Sequence, residues 1–518
     1  MSQNLVKSTL VLTIATLVSK ILGSIFRIPL QNIAGDEVLG IFSLVYPVYM
    51  TALILSVAGI PIAISQLIAR ARTAGDQQEI RNIFVTASIL AFLFGLVSFS
   101  LISGFSAPLA EVLGGQKTRL SLIVVSATLL IAPYMAVYRG FFQGYEDMRQ
   151  TAYSQVLEQF IRVALVIGVA YYMVQLGFSD EKVAAGVMVG SSIGAIVSLV
   201  YLRVLFQRAS IRPKAGSPYS MATFKRTSKK ILLISLPICV GALTMALINV
   251  VDSLSIPLSL KLADRTSEGI NYLYGLYGRG LSLVQIATVF STSIVLPLIP
   301  TISKSIAKKD LVTTNNIIEK SQRLGNLLSW PAATGLFALT LPLNLALFTN
   351  LDGSLVLAII NLSAVFTALT VLGTGILQGL DRAKMAAIII TVGAIVKVGL
   401  NIAFIQVWGL TGAAVSTLVI YILLFGANSF FIYKYTNVKF YSKETIVHAG
   451  SSILMGIVIG LPTLFLDIEG WSRLSALGYS LISIIIGGLI YFVCIIRFKG
   501  ISNEELRSIP GIGAFFKK

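Results

Sequence analysis

Long apolar stretches separated by short polar segments repeat along the whole chain. A helix needs about 20 apolar residues to cross the hydrocarbon core of a bilayer. The pattern therefore predicts an all-α polytopic membrane protein with about fourteen transmembrane helices. The predicted spans are 8–32, 39–68, 82–104, 120–142, 156–176, 183–205, 231–260, 272–301, 325–349, 354–379, 384–406, 410–433, 446–466 and 475–497.

Composition narrows the class of protein. Of 518 residues, 56% are hydrophobic and only 12% are charged, and the mean hydropathy is +0.86, which excludes an ordinary soluble domain. The first apolar stretch contains two basic residues and no small-residue cleavage site, so we expect no cleavable signal peptide. With two cysteines and one histidine, we expect no metal site and no cofactor.

Basic residues are distributed unevenly between alternate polar segments. If the N-terminus is inside and basic residues at the very ends of spans are counted with the adjoining segment, 29 of the 40 Lys and Arg residues fall in cytoplasmic segments, 6 fall in outer loops and 5 lie deeper within spans. This bias predicts that both termini are cytoplasmic. It also explains the net charge of +18 by topology and contact with anionic lipid, and not by nucleic-acid binding.

Two motifs recur in the second half of the chain. Residues 64–70 (ISQLIAR) resemble 302–308 (ISKSIAK), 238 residues further on. Residues 140–146 (GFFQGYE) resemble 375–381 (GILQGLD), at an offset of 235. Chance similarity between apolar helices is the alternative, but two motifs give nearly the same offset.

The repeat predicts a domain organisation. Each copy has an even number of spans, so the copies share one orientation and form two parallel six-helix bundles, as in transporters that work by alternating access. The predicted parts are an N-terminal bundle 1–206, a basic cytoplasmic linker 207–230, a C-terminal bundle 231–434, and two additional helices with a tail, 435–518.

Five cations lie well inside predicted spans, more than three residues from either end, where each costs roughly 2.5–3.5 kcal/mol unless it faces a cavity or a partner. They are Lys20, Arg27, Arg162, Arg279 and Lys397. The carboxylates placed within spans by sequence are Glu158 and Asp252, which leaves a surplus of about three positive charges. A diphosphate would roughly balance this surplus, so the pattern predicts an anionic substrate.

The five cations have different predicted roles. Lys20 lies deep in its span and is expected to face a cavity, whereas Arg27 could instead reach the outer interface. Arg279 lies between two glycines, and its planar guanidinium group can donate two parallel hydrogen bonds to a phosphate.

The remaining two cations have nearby polar residues. Arg162 follows Glu158 by four residues, which predicts an ion pair on one helical face. Lys397 lies 235 residues after Arg162 and four before Asn401, and it could pair with Asp252 in a structural or coupling role.

The motifs resemble those of a known family. The segments 19–27 (SKILGSIFR), 59–65 (GIPIAIS), 273–279 (LYGLYGR) and 296–300 (LPLIP) are similar to MurJ-like flippases and stage V sporulation protein B. That group belongs to the multidrug/oligosaccharidyl-lipid/polysaccharide exporter superfamily, and the similarity covers essentially the whole chain.

The resemblance implies a function and its participants. It implies a bacterial plasma-membrane flippase that moves undecaprenyl-diphosphate-linked sugars, such as lipid II, to the outer leaflet. Lys20, Arg27 and Arg279 match basic positions that line the family's cavity and would meet the diphosphate. The expected driving force is the membrane potential or an ion gradient. We expect a monomer, with cell-wall synthesis proteins as candidate partners.

Other functions would require different residues within the membrane. A multidrug or cation antiporter of the same superfamily would need net acidic residues in its cavity. A polysaccharide-unit exporter whose substrate is not lipid II would have a cationic cavity like the one predicted here. An enzyme acting on lipid-linked sugars would need positioned acids, bases or metal ligands. A non-transporting scaffold would not explain the buried cations.

Overall fold

The computed structural model describes residues 3–57, 59–209, 211, 218–439 and 442–501. Their regular structure is helical, and this part of the chain contains no strand. The α-helices, in chain order from α1 to α18, are Gln3–Ile25, Arg27–Val57, Ile60–Thr73, Gln77–Gly104, Ser106–Val112, Arg119–Ser126, Ala132–Gly144, Met148–Gln175, Asp180–Arg208, Met221–Leu262, Ser267–Ala307, Leu311–Ala338, Thr340–Phe348, Ser354–Gly379, Ala383–Trp408, Leu410–Thr436, Lys443–Gly460 and Arg473–Arg497. Short 3₁₀ turns lie at Gln116–Thr118, Ala127–Leu130 and Leu461–Leu464.

The helices confirm a polytopic membrane protein. Among the described residues, eleven helical stretches are long and apolar enough to cross a bilayer, and α12 with α13, which meet at 77°, would make a twelfth. The predicted count of fourteen is not confirmed. One of the eleven stretches, Ile14–Thr73, is 60 residues long and covers the second predicted span and most of the first.

The junction between those two predicted spans differs from the expected loop. Two helical segments meet there directly at a kink, where Gly35 has a non-helical backbone (φ 81°, ψ 177°). Asp36 beside it is buried and accepts a hydrogen bond from the Gln31 side chain at 3.2 Å. Sequence reasoning placed this carboxylate in an outer loop because polar residues usually mark the end of a span.

Packing divides the chain into two compact units. The first comprises Met1–Gly278 with Lys397–Gln406, and the second comprises Arg279–Val396 with Val407–Lys518. The first unit has one hydrophobic core built on α2, α6 and α9 and another built on α3, α4 and α7. In the second unit, α12, α17 and α18 share a core. The bundle boundaries at 206, 230 and 434 stay predictions.

The internal repeat is visible in the turns that precede two helices. Asp76 caps α4 by accepting a hydrogen bond from the backbone N–H of Glu79 at 2.8 Å. Asp310, 234 residues later, caps α12 by accepting from the backbone N–H of Thr313 at 2.9 Å. In both turns the residue before the aspartate has a positive φ. The same local geometry at equivalent places supports two copies of one helical unit.

Helix packing corrects the register of one repeat motif. A methyl group on Gly144 would lie 2.8 Å from Cβ of Ile68, and one on Gly379 would lie 2.9 Å from Cβ of Ile302. Ile302 is therefore equivalent to Ile68, at an offset of 234, and not to Ile64. The predicted offset of 238 is wrong by four residues. A shift of about one helical turn leaves the apolar face unchanged, so the sequence pattern could not detect it.

Glycines bring α2 and the first part of α11 into close contact. A methyl group on Gly275 would overlap the carbonyl oxygen of Asp36, and one on Gly40 would overlap that of Asn271. Small residues of this kind let helix backbones approach closely inside a membrane. The buried residues of α2 are held in place by this contact.

We expect Gly275→Ala to destabilise the protein by about 1–3 kcal/mol, because the new methyl group forces two backbones apart. Gly168→Ala on α8 is the matched control, since a methyl group there meets no atom within 4 Å. Alanine at such an open helical site should stabilise by roughly 0.5–1 kcal/mol. Thermal unfolding of the purified proteins measures both, and equal effects would refute the close-packing interpretation.

Candidate functional site

Arg27 is the first residue of α2 and is enclosed by aromatic rings. Its side chain is 8% exposed. The guanidinium carbon lies 5.9 Å from the ring centroid of Phe42 and 5.8 Å from that of Tyr46. Phe42 and Tyr46 are four residues apart on α2, so both rings point to one face of the helix.

Arg162 reaches the same aromatic group from α8. Its guanidinium carbon lies 5.7 Å from the Tyr46 centroid and 5.8 Å from that of Phe26. Its Nη1 donates a hydrogen bond to the Tyr46 hydroxyl at 3.2 Å. Two buried guanidinium groups therefore share one tyrosine ring, although like charges repel each other.

Lys20 lies close to these two arginines along the chain. Positions 20, 23 and 27 fall on one helical face, and the helix is interrupted only at Phe26. A methyl group on Gly23 would lie 3.4 Å from Nη2 of Arg162, which places that guanidinium beside the same face. The Lys20 side chain is exposed, and it has no ion pair within the described ranges. We call Lys20, Arg27 and Arg162 the cationic face.

Neither arginine of the cationic face is neutralised by an acidic side chain in the described part of the protein. Nε of Arg27 and Nε of Arg162 are buried and have no hydrogen-bond partner there. Cation–π contacts of this kind contribute about 0.5–2 kcal/mol each but leave the charge uncompensated. The cluster therefore retains unsatisfied donors and surplus positive charge.

The predicted Glu158–Arg162 ion pair is wrong. Glu158 accepts instead from Arg139 on α7, with Oε2 2.8 Å from Nη2. Nε of Arg139 also donates to the Ser154 hydroxyl at 3.0 Å. The four-residue spacing of Glu158 and Arg162 allowed a pair on α8, but a third helix supplies a closer cation. Arg139 lies at the cytoplasmic end of a predicted span, so the sequence pattern does not indicate this partner.

A second buried group of charges lies elsewhere in the first unit. Nζ of Lys397 is 3.3 Å from Oδ1 of Asp252, and both side chains are almost fully enclosed. Asn401 donates to the same oxygen at 3.0 Å and to the Ser255 hydroxyl at 2.7 Å. Tyr277 donates to Oδ2 of Asp252 at 3.0 Å. The predicted pairing of Lys397 with Asp252 is confirmed, and this pair is internally compensated.

Arg279 lies in the second unit and has no exposed surface. Its Nη1 donates to the side-chain oxygens of Asn344 at 3.0 Å and Asn350 at 2.8 Å. Its guanidinium carbon lies 5.2 Å from the centroid of Phe348. These contacts anchor the segment around α13. Arg279 is fully buried in this structure, and its expected place in a cavity stays a prediction.

The chemistry available to the cationic face is anion binding. Guanidinium groups donate charge-assisted hydrogen bonds to phosphate oxygens, often two at a time. Tyr46, Phe26 and Phe42 contact the two arginines, and Nε of each arginine has no hydrogen-bond partner in the described structure. Their contribution was not predicted, because aromatic residues at helical spacing usually indicate ordinary core packing.

The fold and the site together define a polytopic helical membrane protein with a cluster of basic side chains on α1, α2 and α8. The chain belongs to the polysaccharide biosynthesis protein family, whose model matches residues 5–306. The resemblance noted from its motifs is thereby confirmed.

Three proteins of Bacillus subtilis (strain 168) are similar over nearly their whole length. The uncharacterized membrane protein YabM is 31% identical, over 96% of this chain and 94% of YabM. Stage V sporulation protein B is 26% identical, over 99% of this chain and 98% of that protein. The lipid II flippase MurJ is also 26% identical, over 100% of this chain and 99% of MurJ.

Solved structures share the fold. The lipid II flippase MurJ in an inward closed conformation has a TM-score of 0.71 at 17% identity, covering 95% of this chain and 99% of that one. An inward-facing multidrug-resistance MATE transporter of the MOP superfamily has a TM-score of 0.63 at 17% identity, covering 81% of this chain and 96% of that one. The protein therefore has the helical fold of that superfamily.

Proposed function

We propose that this protein is a flippase that moves an undecaprenyl-diphosphate-linked sugar precursor, lipid II or a related cell-envelope unit, from the inner to the outer leaflet. The observation that carries the proposal is the pair of buried guanidinium groups of Arg27 and Arg162 around Tyr46, neither of which has a salt-bridge partner in the described structure. The similarity to MurJ and stage V sporulation protein B supports the same class of substrate.

In the proposed mechanism the lipid tail stays in the bilayer while the polar head crosses by alternating access. The cationic face replaces the water that the diphosphate loses on leaving the cytoplasmic surface. This assignment keeps Lys20 and Arg27 as substrate ligands and adds Arg162. Arg279 is left out, since it has no exposed surface and its Nη1 donates to Asn344 and Asn350.

The direction of transport follows from electrostatics in this proposal. An inside-negative potential favours outward movement of negative charge by about 2.3 kcal/mol per charge per 100 mV. Two charges would gain roughly 4–5 kcal/mol, so no cofactor or nucleotide is required. The proposal places both termini in the cytoplasm of a bacterial cell and treats the protein as a monomer.

We expect the protein to restore outer-leaflet exposure of lipid II in cells depleted of their own flippase. Neutralising Lys20, Arg27 and Arg162 together to glutamine should remove that activity, because the diphosphate loses all three cations. The control carries the same charge change at Lys182, Arg265 and Lys308, which are exposed. Exposure of lipid II is measured by its accessibility to an impermeant enzyme added to whole cells.

Three results are informative. Restoration that is lost only in the cationic-face variant supports the proposal. Unchanged activity in that variant contradicts the assigned site. No restoration by a folded, inserted protein rules out lipid II as its substrate, and the same exposure assay would then be run with teichoic or capsular lipid-linked units.

A further inference from the structure

A groove of about 730 Å³ lies in the first unit, away from the residues of the cationic face. Its walls are formed by α4, by the 3₁₀ turn Ala127–Leu130, by the start of α7 and by α9. Apart from Ser88 and Arg203, its walls are apolar or aromatic. This volume falls in the range of small-molecule sites, roughly 300–1,000 Å³.

The groove has a cationic end and an apolar end. Arg203 is five residues before the end of α9, and Phe84 on α4 stacks on Phe206 with ring centroids 4.7 Å apart. Phe84 therefore lies at the Arg203 end. Phe92 is eight residues further along α4, about 12 Å deeper at 1.5 Å per residue. Leu130 lines this deeper part, since a methyl group on Gly95 would lie 3.4 Å from its Cα.

Two polar groups in the groove are free to bind a ligand. Arg203 is exposed, and its guanidinium makes no hydrogen bond or ion pair within the described residues. The Tyr134 hydroxyl likewise has no hydrogen-bond partner there. Ser88, by contrast, already donates to the carbonyl oxygen of Phe84 at 2.8 Å. The arrangement offers one full positive charge at the end of an apolar channel, with a neutral donor nearby.

We propose that this groove binds one anionic phospholipid of the surrounding bilayer, with its phosphate at Arg203 and an acyl chain along Ile89, Phe92 and Leu130. Ile89, Phe92 and Leu130 are partly exposed on membrane-spanning helices, where lipid is the solvent. A phosphate near the helix end and an acyl chain towards the middle of the span match the orientation of a bilayer lipid. A single arginine matches one phosphate, whereas the three cations of the cationic face suit a diphosphate.

The bound lipid would have a structural consequence. It would contact α4, α7 and α9 at once, filling a space that no protein side chain occupies. We therefore expect lipid binding here to stabilise the first unit, independently of whether the proposed transport function is correct.

Native mass spectrometry of the full-length protein tests the site directly. The protein is released from detergent after incubation with phosphatidylglycerol, and retention is compared with that of phosphatidylcholine. We expect one tightly retained phosphatidylglycerol, and a fall of about tenfold in its retention in Arg203→Gln. Arg208→Gln, an exposed arginine in the last turn of the same helix, should retain it as wild type does.

A second pair of variants separates the channel from the charge. Ile89→Trp should fill the groove and reduce retention several-fold, whereas Val97→Trp, at an exposed site on the same helix outside the groove, should not. Equal retention in Arg203→Gln and Arg208→Gln would overturn the proposal. Displacement of phosphatidylglycerol by an equimolar amount of undecaprenyl phosphate would also overturn it, because the occupant would then be the polyprenyl chain. Neither outcome depends on a transport measurement.

Discussion

Replacing Arg27 and Arg162 together by glutamine is expected to abolish transport and at the same time to raise the melting temperature. Both guanidinium groups are buried against Tyr46 without an ion-pair partner in the described structure. Uncompensated cations at such depth oppose folding, by roughly 2.5–3.5 kcal/mol each on insertion scales. Glutamine keeps hydrogen-bonding capacity and much of the volume but removes the charge.

Opposite effects on stability and activity distinguish a binding site from a structural one. A protein is commonly stabilised when a functional group that it holds in an unfavourable environment is removed. We expect the free energy of unfolding to rise by on the order of 1 kcal/mol or more, and outer-leaflet exposure of the precursor to fall to the level without the protein. Thermal unfolding in detergent and the cell-based exposure assay measure the two quantities. A variant that loses stability together with activity would indicate that the arginines serve the fold.

Replacing Lys397 by methionine is expected to destabilise the protein strongly. The ammonium group lies 3.3 Å from the Asp252 carboxylate, and the Lys397 and Asp252 side chains are 0% and 4% exposed. Removing one member of a buried pair leaves the other charge uncompensated, at a cost of about 3–5 kcal/mol. Asn401 and Tyr277 would still donate to Asp252, but both are neutral.

A double variant tests the cause of that loss. Adding Asp252→Asn to Lys397→Met removes the uncompensated charge and should recover most of the stability. Lys384→Met, at an exposed position near the start of the same helix, should change the melting temperature little. Since the cationic face stays intact, we expect the stable double variant to keep transporting. A stable but inactive double variant would instead assign this pair to ion coupling.

Most of the fold could be predicted from the sequence, and the reasons lie in particular segments. An apolar stretch such as 183–205 can only be a helix in lipid, and α9, Asp180–Arg208, contains it. The ends of spans were harder to predict. Asp36 lies inside a helical run because Gly35 allows a kink without a loop and Gln31 donates a hydrogen bond to the carboxylate.

The site was predicted less completely, because burial and partners depend on three-dimensional packing. Arg27 and Arg279 have similar signatures in sequence, each being a lone arginine in an apolar helix. Arg27 lies beside aromatic rings and its Nε has no hydrogen-bond partner in the described structure, whereas Nη1 of Arg279 donates to Asn344 and Asn350. Residues distant in sequence supply those partners, and no local pattern marks them. Lys397 was paired correctly, since Asp252 was one of the few carboxylates available within a span.

Transport by the purified protein in vesicles tests the central claim most directly. Fluorescent lipid II is incorporated in vesicles with wild type or Arg27→Gln/Arg162→Gln, and an impermeant quencher reports how fast the inner-leaflet label becomes accessible. We predict fast movement with wild type and a rate at the protein-free level with the variant, although both proteins are folded. Equal rates for the two proteins would contradict a flippase that works through its cationic face.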